Sequence, residues 1–247
     1  MDKLLYISMS GAQETLRAQA ANNHNLANVS TTGFKADLSA FQSRAVTGPG
    51  YASRVYATDS TVGWDTSPGS QVATGNPLDL SVNGSGYIAV QDVTGNEAYT
   101  RAGDLHVDSS GQLLTATGLP VIGDNGPISV PPSSSITVGQ DGTISVIPLG
   151  SSAQAKVVAG RIKLVNPPTD TLQRGVDGLF HSTGTDPVPA DAATTVTPGT
   201  LESSNVNIAS AMVNMIQLAR QFDMQMKSLQ SADQNAQSST KLLQSSS

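Results

Sequence analysis

Cysteine is missing from this chain of 247 residues, and aromatic residues, charged residues and long apolar runs are scarce. The lack of cysteine excludes disulfides, thiolate catalysis and thiol-rich metal sites. No stretch approaches the roughly 18 apolar residues of a membrane-spanning helix. Aromatic residues make up 4% and charged residues 13% of the chain. Such a composition suits an extended or repetitive structure better than a compact enzyme.

The charge balance limits the partners that we expect. A net charge of -6 and a pI near 4.8 oppose binding to nucleic acid, because phosphate binding depends on clustered Lys and Arg. The opening residues MDKLLYISMSGAQ carry one Lys beside an acidic residue, and Ser interrupts their apolar stretch. They do not predict a cleaved secretory signal. We therefore expect a cytosolic protein, or one that is exported without such a signal.

Glycine and proline divide the chain into parts. All 13 prolines, and all 23 glycines except Gly11, lie between Gly33 and Gly199. Both residue types interrupt helices, so the ends can be helical and the middle should consist of strands and turns. We predict an N-terminal helix over 1–33, an extended connector over 34–80, a β-rich domain over 81–190, and a return segment with a C-terminal helix over 191–247.

The two ends share a helical hydrophobic period. Apolar residues recur at spacings of three and four in both, which is the pattern of a heptad seam. The fold class predicted is therefore α+β, with long N- and C-terminal helices paired as a coiled-coil-like bundle and with a central antiparallel β-rich domain. Few charges flank the seam, so these helices should be marginal alone and should order against copies of themselves. The seam residues that we predict at the subunit interface are Leu5, Met9, Leu16, Leu26, Ile208, Met212, Met215, Phe222, Met226, Leu229 and Leu243.

A simpler interpretation of the same stripe stays open. Met and Leu at helical spacing often form only the buried face of a surface helix. Several positions on the predicted seam are polar, among them Gln19, Asn23, Asp233 and Thr240.

The stretch NLANVSTTGFKA, residues 25–36, predicts an abrupt helix end. If the helix runs to about Thr32, Gly33 can stop it in a left-handed conformation, and Phe34 can fold back onto Val29. Asn28 is a second candidate stop, since Asn tolerates the same conformation. We add Asn25, Asn28, Gly33 and Phe34 to the predicted interface set.

The middle of the chain shows period-two alternation from Val82 onward. Turn signals break it at 94–96, 108–111 and 118–120. This region offers few candidates for catalytic or cofactor-binding residues. The loose match of Gly84, Gly86 and Ala89 to a dinucleotide fingerprint precedes a strand rather than a helix, and Asp beside Gly is more often turn chemistry than catalysis. The three histidines lie far apart without further ligands at metal-site spacing. We predict no catalytic, cofactor or metal site, and no enzyme.

Four segments stand out in order along the chain, namely NLANVSTTGFKA (25–36), TGNPLDLSVNGSGYIAV (74–90), YTRAGDLHVDSSGQLLTATGLPVIG (99–123) and GTLESSNVNIASAMVNMI (199–216). Together they resemble the signatures of the bacterial flagellar basal-body rod and hook proteins. Within that family the opening MDKLLYISMSGA and the tail ARQFDMQMKSLQSADQN look most like the larger proximal rod subunit. The distal rod subunit is the nearest alternative. One departure is Leu105 and His106, where the family often has an aromatic residue followed by a variable one.

The resemblance implies a structural role. Family members assemble helically into a hollow axial tube that crosses the periplasm and transmits torque, and they leave the cell unfolded through the flagellar type III export apparatus without a cleaved signal. The partners implied are copies of the chain and other rod subunits, with no nucleic acid and no membrane span. A less favoured alternative is a secreted β-rich adhesin. We also hypothesise that a polar face of the C-terminal helix lines the channel, formed by Asn214, Gln217, Gln221, Gln225, Ser228 and Ser231.

Overall fold

The computed structural model describes residues 2–45, 55–150, 155–184 and 186–245. Two helices lie near the ends, α1 over Asp2–Ala27 and α2 over Ile208–Ser245, and a short 3-10 turn spans Thr169–Thr171. The strands lie between the helices. They are β1 Asp37–Ala45, β2 Val55–Trp64, β3 Gln71–Ala73, β4 Leu80–Val82, β5 Tyr87–Gln91, β6 Glu97–Thr100, β7 Leu105–Val107, β8 Leu113–Thr115, β9 Ile122–Gly123, β10 Gly126–Pro127, β11 Ser133–Val138, β12 Thr143–Pro148, β13 Val157–Arg161, β14 Leu164–Val165, β15 Leu172–Arg174, β16 Phe180–Ser182, β17 Val196–Pro198 and β18 Thr200–Glu202.

The chain divides into two compact units. We call the first the helical unit, which consists of Met1–Val29, Ala36–Asp65 and Val206–Ser247. The second, the β unit, consists of Ser30–Lys35 and Thr66–Asn205. The segment 34–80, for which an extended connector is expected, contains the hairpin of β1 and β2 as well as β3, and it ends at the first residue of β4.

The β unit is built from small antiparallel sheets. The largest has the strand order β14-β5-β6-β16-β15, and a three-stranded sheet has the order β11-β12-β13. Late strands pair with early ones, because β17 pairs with β4 and β18 pairs with β3. The returning chain therefore closes the unit against the segment that enters it.

One apolar core fills the β unit. It is made of Val, Ile and Leu side chains, as the scarcity of aromatic residues requires. Leu80, Ile88, Leu113, Ile144 and Val196 are each 0% exposed. Burying such side chains provides about 1.5–3 kcal/mol each, so this unit contains its own source of stability.

Two turns of the β unit repeat the same local chemistry. Asp92 accepts hydrogen bonds from the backbone N–H groups of Thr94 and Asn96 at 2.8 and 2.9 Å. Asp108 does the same with the N–H groups of Ser110 and Gln112 at 2.9 and 2.8 Å. In both turns the residue after Thr or Ser is a Gly with positive φ, Gly95 and Gly111. Asp and Gly are therefore turn residues here, as the sequence predicts.

The helical unit contains α1, α2 and the β1–β2 hairpin. Three contacts show that the helices run antiparallel: the Oγ atoms of Ser8 and Ser228 are 3.1 Å apart, Gly11 packs against Gln225, and Asn22 Nδ2 donates to the Ala211 carbonyl at 2.9 Å. The contacts are made by small and polar residues. Other buried residues of α1 are also small or polar, namely Ala12, Glu14, Thr15 and Ala18.

The α+β class is right, but the predicted long coiled-coil-like bundle is wrong. The two helices are unequal in length, with 26 and 38 residues, and several large side chains of the predicted seam stay exposed. Met9, Leu16 and Met212 are about half exposed, at 50%, 50% and 52%. The physical reason is that small residues allow closer approach of the two backbones than Met or Leu would.

The predicted end of the first helix is also displaced. α1 ends at Ala27, five residues before Thr32. The Asn28 side chain donates to the His24 carbonyl at 3.0 Å, and the Asn28 backbone N–H donates to the same carbonyl at 3.2 Å, so both contacts close the last turn of the helix. Gly33 does have a left-handed φ of 67°, but it lies in the loop beyond the helix.

Candidate assembly surface and buried charge cluster

An apolar surface lies on the two helices of the helical unit. We call it the apolar stripe, and its members are 39–63% exposed. It consists of Tyr6, Met9, Leu16, Ile208, Met212, Val213, Ile216, Met224 and Met226. Exposed apolar residues that share one side of a helix mark protein interaction sites more often than scattered single ones do.

The stripe on α2 lies on the side away from α1. At about 100° per residue, Ala211, Gln225 and Ser228, which contact α1, fall within roughly 100° of arc. Ile208, Met212 and Ile216 fall within about 80° on a different side of the same helix. The surface is therefore left uncovered by the helix pairing within the unit.

The predicted interface residues of the two helices differ in how exposed they are. Met9, Leu16, Ile208, Met212 and Met226 belong to the apolar stripe. Half-buried positions at its edge or at the helix end are Leu26, Met215, Phe222 and Leu229. The side chains of Leu5 and Leu243 lie outside the described set.

Part of the polar face of α2 contacts α1, whereas Asn214, Gln217 and Ser231 are exposed, so the channel-lining role of this face stays a prediction. Gln225 packs against Gly11, and Ser228 is within hydrogen-bonding distance of Ser8. Asn214, Gln217 and Gln221 line a groove shared with Ala18, Asn22 and Asn25 of α1. Polar uncharged residues serve the pairing of the two helices here.

Asn25 fixes the start of the first strand in the helical unit. Its side-chain carbonyl accepts the backbone N–H of Asp37 at 2.7 Å, and its Nδ2 donates to the Asp37 carbonyl at 3.0 Å. The Asn25 amide thus imitates a neighbouring strand. His24 Nδ1 also lies 2.5 Å from the Asp37 carboxylate. These contacts give the NLAN part of the signature a positional role.

Gly33 and Phe34 belong to the β unit. A Cβ at Gly33 would lie 2.3 Å from the backbone carbon of Arg101, so only glycine fits this position. Phe34 is buried, and the Arg174 guanidinium lies over its ring at 4.3 Å from the centroid. Phe34 is therefore held in place by Arg174 within the β unit.

The residue after Phe34 enters a buried charge cluster, which consists of Lys35, Arg101 and Glu202. These three side chains are 1–2% exposed. Lys35 Nζ lies 2.7 Å from Glu202 Oε1, and Arg101 Nε lies 2.9 Å from Glu202 Oε2. Further hydrogen bonds satisfy the remaining groups, since Lys35 donates to the Ser67 carbonyl at 2.7 Å and the Gly69 N–H donates to Glu202 Oε1 at 2.8 Å.

Arg101 extends the cluster into the body of the β unit. Its Nη2 donates to the carbonyls of Val82 and Gly84 at 2.9 and 2.8 Å, and its Nη1 donates to Gly84 at 2.9 Å. Its guanidinium lies 5.7 Å from the centroid of the Tyr87 ring. Buried charges are tolerated only when they are paired and hydrogen-bonded in this way.

Sequence reasoning did not find the cluster. Arg101 is a position of the resemblance motif, but nothing near it in the chain shows that its partner is Glu202. Lys35 and Glu202 are separated by 167 positions. A signal was nevertheless present, because Lys and Glu each stand inside a signature segment of a chain that has few charges.

Two neighbouring carboxylates of the β unit are explained by local structure. Asp79 and Asp104 form an isolated β-bridge in the β unit. Asp79 accepts hydrogen bonds from Thr74 and Asn76, and burial raises the pKa of Asp104, with a further contribution from the negative charge of Asp79. Within the part of the chain that the structure describes, no group of three or more His, Asp or Glu could hold a metal. Among the described residues, neither helix is both long and apolar enough to cross a bilayer.

Comparison with known proteins agrees with the four signature segments. The family model described as "Flagellar hook protein FlgE/F/G D1 domain" matches residues 81–146, and "Flagellar basal body rod FlgEFG protein C-terminal" matches 197–242. The chain is 43% identical to the flagellar basal-body rod protein FlgF of Escherichia coli K12 and 42% identical to FlgF of Salmonella typhimurium, each over 98% of this chain and 99% of the relative. It is 31% identical to the rod protein FlgG of Buchnera aphidicola subsp. Schizaphis graminum, over 96% of this chain and 98% of the relative.

These matches define the class of protein, a structural component of the bacterial flagellum. The chain belongs to the flagellar basal-body rod protein family. The resemblance drawn from the sequence is thereby confirmed, as is the function of a structural rod subunit in the basal body that assembles with other rod subunits. Family membership decides against the adhesin alternative.

Proposed function

We propose that this rod subunit joins its neighbours through the apolar stripe on α1 and α2. The observation that carries the proposal is the half-exposed state of large apolar side chains that the helix pairing leaves uncovered. Leaving them in water is unfavourable, since burying each Met or Ile would provide about 1.5–3 kcal/mol. Contact with other rod subunits removes this surface from water, and the subunit then acts mechanically rather than as a catalyst.

We further propose that the subunit occupies the proximal part of the rod in the periplasm and is exported by the flagellar type III apparatus without a cleaved signal. The similarity of the opening and tail segments to the larger proximal rod subunit supports this position, and the distal rod is the alternative. Isolating assembled basal bodies after crosslinking and identifying the subunits joined to this chain tests the position. Recovery only of subunits from the distal end would contradict it.

The stripe is tested by making it polar at two positions. Met212 and Ile216 are 52% and 55% exposed, so M212Q/I216Q should leave the thermal unfolding of the purified chain nearly unchanged. In a flagellated bacterium that carries the variant in place of the native chain, we expect export at the normal level but loss of rod completion and of swimming. Rod completion is measured by electron microscopy of basal bodies.

A matched control uses apolar residues of the β unit with similar or greater exposure. Leu149 and Val176 are 67% and 112% exposed, and L149Q/V176Q removes comparable apolar surface there. We expect this control to swim normally. Normal swimming by M212Q/I216Q, or equal loss in both variants, would show that the stripe is not the assembly surface.

A further inference from the structure

The chain passes between the helical unit and the β unit four times. The passages follow Val29, Lys35, Asp65 and Asn205. On the side of the β unit they involve three stretches, which we call the crossing segments: residues 30–35, 66–70 and 199–205. Any force that travels along the backbone into the β unit must enter through these segments.

Glu202 contacts every crossing segment. It lies in the third, its backbone carbonyl accepts the N–H of Gly33 at 2.8 Å, and its Oε1 accepts both Lys35 Nζ and the Gly69 N–H. Its other carboxylate oxygen binds Arg101, which is hydrogen-bonded to the loop after β4. One side chain therefore links all three segments to the interior of the β unit.

Other contacts bring the same segments together. Asn205 donates from its backbone to the Phe34 carbonyl at 3.3 Å and from its side chain to the Ser67 carbonyl at 3.1 Å. The hydroxyls of Ser70 and Ser203 are 2.7 Å apart. A Cβ at Gly69 would lie 1.8 Å from the Ser203 carbonyl oxygen, so the two backbones touch.

The chemistry of the cluster favours a positioning role over a purely stabilising one. Apolar side chains of the same volume usually stabilise a core as well as a buried ion pair does, whereas a charge cluster accepts only one arrangement of its donors and acceptors. Removing the single carboxylate would leave two buried cations without their counter-ion. The arrangement is thus held together or lost as a whole.

We propose that Glu202 is the positioning residue that holds the three crossing segments in one fixed arrangement, so that force carried along the backbone enters the β unit at one anchored place. The anchoring can be tested on the purified chain. The mechanical consequence rests on the proposed function in the rod.

Hydrogen exchange of the full-length chain tests the anchoring. In E202Q we expect the amides of the crossing segments to exchange about 100-fold faster, because a broken buried pair leaves uncompensated charge. The amides of β11, β12 and β13 should exchange at the native rate. Uniformly faster exchange over the whole β unit, or no change in the crossing segments, would overturn the proposal.

The matched control is E97Q. Glu97 pairs with Lys163 at 2.7 and 2.9 Å, and both side chains are 14% exposed, so this pair lies in the β unit but joins no crossing segment. We expect E97Q to change exchange only near β5 and β6. Faster exchange of the crossing segments in E97Q would overturn the special role of Glu202.

K35M is a milder variant that tests the anchoring by Glu202 if E202Q does not fold. K35M removes one cation and leaves one charge of each sign in the cluster, together with the Glu202–Arg101 contact. We expect about tenfold faster exchange at 30–35 and 66–70, because the salt bridge and the Ser67 hydrogen bond are both lost. A uniform rise, or none, would again overturn the anchoring.

Swimming against load tests the mechanical consequence separately. Cells whose rods contain K35M should assemble flagella and swim normally in dilute medium but lose speed sooner than wild type as viscosity rises. Equal speed at every viscosity would overturn the mechanical role and leave the exchange result standing. Neither outcome bears on the apolar stripe, which is tested by M212Q/I216Q.

Discussion

The two units of this chain differ in the apolar residues that they bury. The β unit has an apolar core of large aliphatic side chains such as Ile88, Leu113 and Ile144, each 0% exposed. In the helical unit the buried residues are small or polar, such as Ala18 and Thr15. The large apolar side chains of that unit lie at its surface instead.

This difference separates two sources of stability. The β unit obtains its hydrophobic stabilisation from its own core, so it should fold wherever the whole unit is present. The helical unit buries mostly small and polar residues in its own pairing. Under the proposed function, its larger gain would come from covering the apolar stripe, and neighbouring subunits would then control the stability of the helices.

The largest expected effect comes from the core of the β unit. Ile88→Ala removes buried methyl groups from a site without exposure and should lower the free energy of unfolding of that unit by about 2–5 kcal/mol. Urea unfolding followed by hydrogen exchange of the β5 amides measures it. Leu16→Ala, at a residue 50% exposed, should change the free energy by less than about 0.5 kcal/mol in the free chain. Equal losses of unfolding free energy in the two variants would show that the two units do not differ in how they are stabilised.

Local chemistry made part of this fold predictable. The turn at Asp108 follows from hydrogen bonds between residues two and four positions apart, so a short window of sequence contains all of its causes. The class of the fold follows from where Gly and Pro interrupt the chain. The scarcity of aromatic residues likewise predicted a core of aliphatic side chains.

The errors have physical causes as well. A stripe such as Met9, Leu16 and Met212 has the same pattern whether its partner is the other helix or another subunit, so periodicity could not say which face α1 covers. Gly33 was singled out as a helix stop, yet its constraint is the backbone of Arg101, 68 positions away by their numbers. Contacts of this range leave no local pattern in one sequence.

A smaller effect should follow from crowding the helix pair. Ala18 is 3% exposed, and Ala18→Leu adds volume at a buried position of α1, so it should destabilise the helical unit by about 1–3 kcal/mol. Circular dichroism at 222 nm during thermal unfolding reports the helices, and the single tryptophan, Trp64, reports the hairpin of the same unit.

Ala20 provides the matched control for this variant, since it lies on α1 but is exposed. Ala20→Leu adds the same atoms and should leave the unfolding midpoint almost unchanged. If the two variants behave alike, close packing by small residues is not what holds the helices together.

The smallest expected effect is the pH dependence of the β-unit turns. Hydrogen bonds from the Ser110 hydroxyl and from backbone N–H groups hold the pKa of Asp108 below its ordinary value of 3.8. The folded state therefore binds its proton less tightly than the unfolded state, and the stabilisation is present above about pH 3.8 and is lost as pH falls through the lower folded pKa. Asp108→Asn should lower the unfolding midpoint slightly at pH 7, and the difference from wild type should shrink towards pH 3.

Asp104 provides a comparison of opposite sign within the same unit. Burial raises its pKa, so its protonated form favours folding, and this contribution is present below about pH 3.8 and is lost as pH rises through the higher folded pKa. Wild type should therefore gain stability relative to Asp104→Asn as pH falls, whereas it should lose stability relative to Asp108→Asn over the same range. Thermal unfolding of the three chains between pH 3 and 7 measures both trends. If both differences from wild type change in the same direction as pH falls, then turn hydrogen bonding does not lower the pKa of Asp108, or burial does not raise the pKa of Asp104.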